Sequence, residues 1–296
     1  MIKLRKATAA DKPRITEISS QIWDGEDYVP DVLNDWLTDP SGEVVVAIAD
    51  GKLISFARRS FLLPGYAWFE GARTDPAYRN TGVFQEISRY FLDAVQREGA
   101  DLIGLSTYID NEVSIHIIEK NGFHKVASYV YLEAGRDAPV RREGRSSSRA
   151  SAVTTQEAIP FIRESKFLNV SRGHFPNGWK FYPFERDPEL VLSKMEHVLG
   201  IREEGKLTGL LCLAGSLRRD RECSITFVDG RPDAVEDLLR HALHLARDAR
   251  HVAIMMPRSN AATPEALPIL QRIGFTAWNE FDTDVFVYER ETCKSS

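Results

Sequence analysis

The sequence predicts an α/β protein, with mixed α+β sheets, made of two copies of one architecture. Three observations predict it. The chain has 296 residues, about twice the ~150 of a common domain. Two helix endings match. Ile118-Glu119-Lys120-Asn121-Gly122-Phe123 leads into Tyr129 to Glu133, and Leu270-Gln271-Arg272-Ile273-Gly274-Phe275 leads into Val285 to Glu289. In each, Gly supplies the left-handed residue that stops a helix, and Phe begins the return to the sheet. Upstream, the strand Leu102 to Ser106 has a counterpart in Val252 to Met256, and the helix Phe84 to Glu98 has one in Ala234 to Arg247. An element order that recurs at half the chain length points to a duplication.

The first half reads element by element. Ile2 to Ala7 is a short strand. Asp11 caps a helix whose apolar face is Ile15, Ile18 and Ile22. Glu43 to Ala49 and Lys52 to Leu62 are strands joined by Asp50-Gly51, a strong hairpin signal. Tyr66 to Thr74 is a fourth strand. The next helix places Phe84, Ile87, Phe91, Leu92 and Val95 on one stripe. A fifth strand, Leu102 to Tyr108, precedes a helix from about Glu112 to Asn121. The expected division is a first domain over 1–135, an Arg/Ser-rich linker over 136–152 and a second domain over 153–296. The linker carries Arg136, Arg141, Arg142, Arg145 and Arg149 around Ser146-Ser147-Ser148 and reads as an exposed connector.

Composition narrows the class. Hydrophobic residues make up 43% and charged residues 27%, which fits a soluble globular protein and no fibre, coiled coil or disordered chain. No run approaches the ~20 apolar residues of a membrane helix. Met1 to Lys6 has no apolar run behind its charges, so no signal peptide is expected. The net charge of −5 speaks against a nucleic-acid partner. Cys212, Cys223 and Cys293 lie far apart, giving neither a disulfide framework nor a zinc pattern. They suit a reducing, cytoplasmic setting. His241 and His244 have no third ligand nearby, so no metal is expected.

The most informative stretch is Thr74-Asp75-Pro76-Ala77-Tyr78-Arg79-Asn80-Thr81-Gly82-Val83-Phe84. A strand ends, a Pro turn follows, and a basic-then-Gly loop opens an amphipathic helix. Backbone N–H groups at a helix start have no partner within the helix, and the helix dipole is positive there. Together they suit a pyrophosphate. Gly82 lets the backbone approach it closely.

With this loop and the segment Asn111 to Phe123, the first half, Ile2 to Glu133, resembles the GNAT superfamily of acyl-CoA-dependent N-acyltransferases. The chain then reads as tandem GNAT-like domains, the second one degenerate. The resemblance implies acetyl-CoA as co-substrate. The loop from Arg79 through Asn80, Thr81, Gly82, Val83 and Phe84 would hold the pyrophosphate. Ala72 and Thr74 would pair with the pantetheine arm where the fourth and fifth strands splay. Asn111 and Ser114 would contact the coenzyme, although Asn111 is equally suited to capping its helix. Phe84 departs from the family loop, which has Gly or Ala there. Ile118 stands where many members carry a Tyr acid, leaving Tyr108, His116 or water to protonate the thiolate.

Transfer to an amine needs a proton acceptor and a donor for the developing oxyanion. Glu70, in a strand rich in Tyr66, Trp68 and Phe69, is the candidate general base. The other reading is a structural Glu paired with Arg73 or another cation. Trp23, Asp27 and Tyr28 follow the first helix and combine aromatic faces with carboxylates Asp24 and Glu26, which suits an amine-bearing small molecule. This segment and Leu33 to Leu37 resemble the acceptor region of two-domain histidine N-acetyltransferases. In the second half, Asp229-Gly230-Arg231-Pro232-Asp233 replaces the phosphate loop. Its acids repel a pyrophosphate and Pro232 lacks a donor. Gly173 to Pro183, with His174, is expected to pack between the halves or over the acceptor pocket. The expected function is acetylation of the primary amine of a small metabolite, histidine being one example. The rivals are an acyl-CoA sensor without turnover and a protein or peptide N-acetyltransferase.

Overall fold

The computed structural model describes residues 2–292 except 23, 24, 26, 80, 143–144, 216–221 and 260–263. The chain forms two compact units, Met1–Leu105 with Glu289–Ser296, and Ser106–Tyr288. The expected α/β class with mixed sheets is what forms.

In the first unit, β1 (Lys3–Lys6), β2 (Gly42–Ala49), β3 (Lys52–Leu63) and β4 (Tyr66–Thr74) run antiparallel in that order. The hairpin between β2 and β3 uses Asp50 at φ 50° and Gly51 at φ 79°, the two left-handed residues that a tight hairpin of natural twist requires. Strand β2 shows why the sheet is covered on both faces. Its even residues Val44 and Val46 join Ile15, Ile18, Leu33 and Trp36 beneath α1 (Lys12–Ser19) and α2 (Val29–Thr38). Its odd residues Val45 and Ala47 meet Val83, Ile87 and Phe91 of α3 (Val83–Arg97). Helix α3 carries the chain to β5 (Leu102–Tyr108), which pairs parallel to β4. Asp11 stands at the start of α1 as expected, but its carboxylate turns back, accepting from Thr8 N (2.8 Å) and from both Nη atoms of Arg5.

The second unit starts with α4 (Glu112–Lys120), β6 (His124–Gly135), α5 (Pro139–Arg142), β7 (Ser151–Ala152), α6 (Thr155–Glu164) and α7 (Lys166–Val170). A hairpin of β8 (His174–Asn177) and β9 (Lys180–Pro183), α8 (Pro188–Leu192), β10 (His197–Glu203), β11 (Lys206–Gly215) and β12 (Glu222–Gly230) follow. It ends with α9 (Pro232–Leu245), β13 (His251–Pro257), α10 (Ala266–Ile273), β14 (Thr276–Ala277) and β15 (Val285–Glu291) as far as Tyr288. Its strands lie in the order β15-β6-β13-β12-β11-β10-β7. Strands β12 and β13 are parallel and joined by α9, repeating the β4–α3–β5 crossover. Gly209 lets α9 lie close, since a Cβ there would stand 2.8 Å from that of Ala234. Strand β6, which closes the first sequence repeat, pairs antiparallel with β13.

The segment between the repeats is partly buried rather than wholly solvated. Arg141 is only 8% exposed and donates to the carbonyls of Ala134 (3.2 Å), Ala246 (2.5 Å) and Ala249 (3.3 Å). A guanidinium can satisfy carbonyls left over at a helix end. Ser147 and Arg149 add contacts to Asp237. No helix is long and apolar enough to cross a membrane.

Candidate active site

The β3–β4 ladder sets the geometry. Phe56 faces Arg73 and Arg58 faces Glu70, so β4 has one residue more than β3 between these pairs. This is a β-bulge, and Gly71 occupies it at φ 66°. On its other side β4 pairs with β5 over Tyr66–Trp68 opposite Leu102–Gly104. Ala72 is exposed, and the Thr74 hydroxyl lies 3.0 Å from that of Ser55.

Glu70 is ion-paired, and its partner is Arg58 rather than Arg73. Arg58 is 1% exposed and also binds Asp39 and, at 3.2 Å, Ser60 Oγ. Its guanidinium lies over the Trp36 ring, 5.3 Å from the centroid. Arg73 donates to both oxygens of Asp27, at 2.9 and 2.8 Å. Asp27 is therefore buried and neutralised. Tyr28 beside it stays 40% exposed, edge-on to Trp36, with Arg73 over its face at 5.7 Å. Trp23 lies outside the described residues, as do Asp24 and Glu26.

The loop after β4 is held from behind. Asp75 caps the turn Pro76–Tyr78 by accepting from Ala77 N at 2.9 Å, and it pairs with Arg14 and Lys52. The acid nearest the loop is thus compensated by two cations, which suits an anion nearby. Thr81 Oγ1 donates to the Tyr78 carbonyl at 2.7 Å. Gly82, at φ 82°, opens α3, whose first N–H groups at Val83 and Phe84 have no partner within the helix. The Phe84 side chain packs against the core cluster beneath α3, so its bulk is taken up there. Arg79 is exposed. Asn80 lies outside the described residues. The residues present fit a pyrophosphate.

Asn111 and Ser114 lie on the second unit, half-buried, at the start of α4. Asn111 occupies the cap position but makes no side-chain cap bond. Ile118 is buried. Tyr108 packs against Trp179 and Trp278, with centroids 4.7 and 5.1 Å away, and His116 is exposed. His174 is buried, its Nδ1 3.1 Å from the Ser171 carbonyl.

The corresponding loop of the second repeat is consumed internally. Asp229 accepts from Phe167 N and Gly230 N, each at 2.8 Å, and Arg231 N donates to the Thr208 carbonyl at 2.8 Å. Pro232 has no N–H. These donors are unavailable to a phosphate. Burial pushes the Cys212 thiol up, and that of Cys223 up to about 12. Cys293 lies outside the described residues. Among the described residues, no group of three or more His, Cys, Asp or Glu gathers to hold a metal ion.

Arg58 and Asp39 escaped the sequence reading. The available signal was two arginines inside the apolar strand Lys52–Leu63, where a buried charge must find a partner. Arg59 finds Glu43 and Glu98.

Comparison with known proteins adds four findings. Residues 12–123 match the family described as Acetyltransferase (GNAT) family. A human protein described as "Probable N-acetyltransferase 16" is 31% identical over a 205-residue alignment that covers 64% of this chain. The match spans 56% of that relative's length. The fold matches a GCN5-related N-acetyltransferase from Sphaerobacter thermophilus with a TM-score of 0.64, 15% identity, and 98% and 96% of the two chains covered. It also matches a tandem GNAT protein from the clavulanic acid biosynthesis pathway, with a TM-score of 0.60, 12% identity and all of both chains covered.

Proposed function

We propose, for a chain whose residues 12–123 match the acetyltransferase (GNAT) family, that it is an acetyl-CoA-dependent N-acetyltransferase acting on the primary amine of a small metabolite. An amino acid such as histidine is the first candidate. One observation carries this reading most: β4 presents Glu70 at a bulge and then runs into a left-handed Gly82 that opens α3. A carboxylate and a helix start suited to a phosphate thus stand on one strand and its following turn.

Acetyl-CoA supplies the activated acyl group. In this reading Arg79, Thr81 and the backbone from Asn80 to Phe84 hold the pyrophosphate, and Ala72 and Thr74 align the pantetheine arm. Asn111 and Ser114 add coenzyme contacts. The bulge takes a backbone N–H out of the ladder register, which suits a donor to the thioester carbonyl as charge develops on it. Glu70 accepts the amine proton, directly or through water, as the new C–N bond forms, the thioester C–S bond breaks and coenzyme A leaves as a thiolate that water protonates. Tyr28, exposed, offers an aromatic face to a cationic acceptor. Asp27, tied to Arg73, positions Tyr28. The repeats run 1–135 and 153–296, joined by 136–152, with one coenzyme site in the first. A cytoplasmic setting, with neither nucleic acid nor membrane as partner, belongs to the same reading.

The test is incubation of the full chain with acetyl-CoA and a panel of amino acids and polyamines, following free thiol. Acceptor-dependent release is expected, and its absence across the panel sinks the proposal. A second reading, an acyl-CoA sensor without turnover, draws on Glu70 being ion-paired and Ile118 being buried. It requires coenzyme A binding by calorimetry with no turnover, and indifference to Glu70→Gln.

A further inference from the structure

Arg58 is built into the first unit more rigidly than a surface cation needs. It sits in the middle of β3, directly across the ladder from Glu70. The bulge begins at the next residue of β4. One Nη reaches Glu70 and Ser60 Oγ, and the other reaches Asp39 just past α2. The Trp36 ring covers one side. Gly42 leaves room on another, because a Cβ there would stand 2.7 Å from Arg58 Nη2 and 3.1 Å from its Cζ. Arg58 Nε has no hydrogen-bond partner among the described residues. A planar fork clamped in this way fixes the orientation of whatever it binds, which a flexible ammonium does not.

We propose that Arg58 is a positioning residue for the transfer: it fixes the Glu70 carboxylate at the β4 bulge, and Asp39, on the other arm of the same guanidinium, moderates its pull. The inference rests on the reading of Glu70 as the proton acceptor. A carboxylate facing an unshared guanidinium holds protons weakly and makes a poor base. Here the guanidinium is shared, one arm on Glu70 and the other on Asp39. Other charged or titratable groups in this neighbourhood include Tyr28 at the head of α2, which feels the charge of Glu70, and the Arg73–Asp27 pair. Neither is altered in the test.

The test compares four variants of the full chain with wild type: Arg58→Lys, Asp39→Asn, Glu70→Gln and the double variant D39N/E70Q. Thiol release from acetyl-CoA with histidine, or with another amine found active, is followed from pH 5 to 9. Glu70→Gln should lower kcat by about 10²–10⁴-fold. Arg58→Lys keeps the charge and loses the fork, so kcat should fall at least about tenfold while KM for acetyl-CoA stays within about twofold. Asp39→Asn removes a neighbouring negative charge, so the acid limb of the profile should move about one pH unit lower. Asp39 is part-exposed, so this variant keeps the test open even if Arg58→Lys fails to fold. The double variant should behave as Glu70→Gln alone, since the coupling runs through Glu70. If Asp39→Asn leaves the profile unmoved while Glu70→Gln abolishes turnover, the positioning role is overturned and the base reading stands. If Glu70→Gln turns over like wild type, both fall.

Discussion

The Trp36 indole lies so close over Gly71 that a Cβ built there would stand 2.5 Å from its ring. The bulge, the indole and the Arg58 guanidinium beneath that indole therefore form one packed stack. Gly71→Ala adds a side chain at φ 66° and into this contact. Left-handed backbone and overpacking together predict a loss of about 2–4 kcal/mol. Relief by moving Trp36 would disturb Arg58 and lower kcat as well. Denaturant unfolding alongside turnover checks this. A variant with wild-type midpoint and rate would show that the stack is loose.

Gly82 shares the left-handed φ with Gly71, yet the reason it is Gly is different. Among the described residues, a Cβ at Gly82 would meet only Gln85 Oε1, at 3.8 Å. Gly82→Ala therefore carries the backbone penalty alone, about 1–2 kcal/mol. Its larger effect should fall on the coenzyme. Coenzyme A affinity by calorimetry is expected to weaken about tenfold, with kcat at saturation nearly unchanged. Undiminished affinity in a folded Gly82→Ala would argue against pyrophosphate at the start of α3.

Asp284 gives a pH prediction. It is 3% exposed, its Oδ1 accepts from Tyr131 N at 2.8 Å, and its Oδ2 has no hydrogen-bond partner among the described residues. Burial pushes its carboxyl up to about 7, against an ordinary value of 3.8. Between those values the native chain holds a proton that the unfolded chain has released. Stability from this group is thus greatest in acid, falls as pH rises from about 4 to 7, and then levels, by up to about 4 kcal/mol in all. Asp284→Asn keeps an acceptor for Tyr131 N and should remove that slope. Urea unfolding of both proteins at pH 4.5, 6 and 8 reads the difference. A gap between them that is constant with pH would refute it.

What the sequence revealed was mostly local backbone chemistry. Gly122 and Gly274 stop their helices at φ 80° and 99°, and Asp50-Gly51 turns its hairpin, because a left-handed residue leaves a mark within a few positions. The left-handed Gly82 that opens α3 was legible for the same reason. Ion-pair choice was not. Glu70 is twelve residues from Arg58 and three from Arg73, yet it pairs with the former because the ladder register places them opposite each other. Arg73 instead crosses 46 residues to Asp27. Nor does any local pattern specify that β6 pairs with β13, since either strand's alternation suits many partners.

Arg141 separates the local from the tertiary signal by experiment. In a Ser/Arg-rich stretch it reads as one exposed cation among five, and an exposed substitution should change stability by no more than about 0.5 kcal/mol. The structure places it under three carbonyls, from the end of β6 and from the turn after α9. Burial makes its guanidinium easier to deprotonate than usual, so those carbonyls compensate the desolvation only in part. Arg141→Ala would leave buried acceptors without donors and should cost about 3–5 kcal/mol. Arg141→Lys reaches fewer of them and should recover part of the loss. Arg141→Met, similar in length but without donors, should recover little, which separates hydrogen bonding from packing. Arg142→Ala, at the adjacent exposed position, serves as the control and should stay near wild type in the same denaturant titration. Equal midpoints for Arg141→Ala and Arg142→Ala would return the segment to a plain solvated connector.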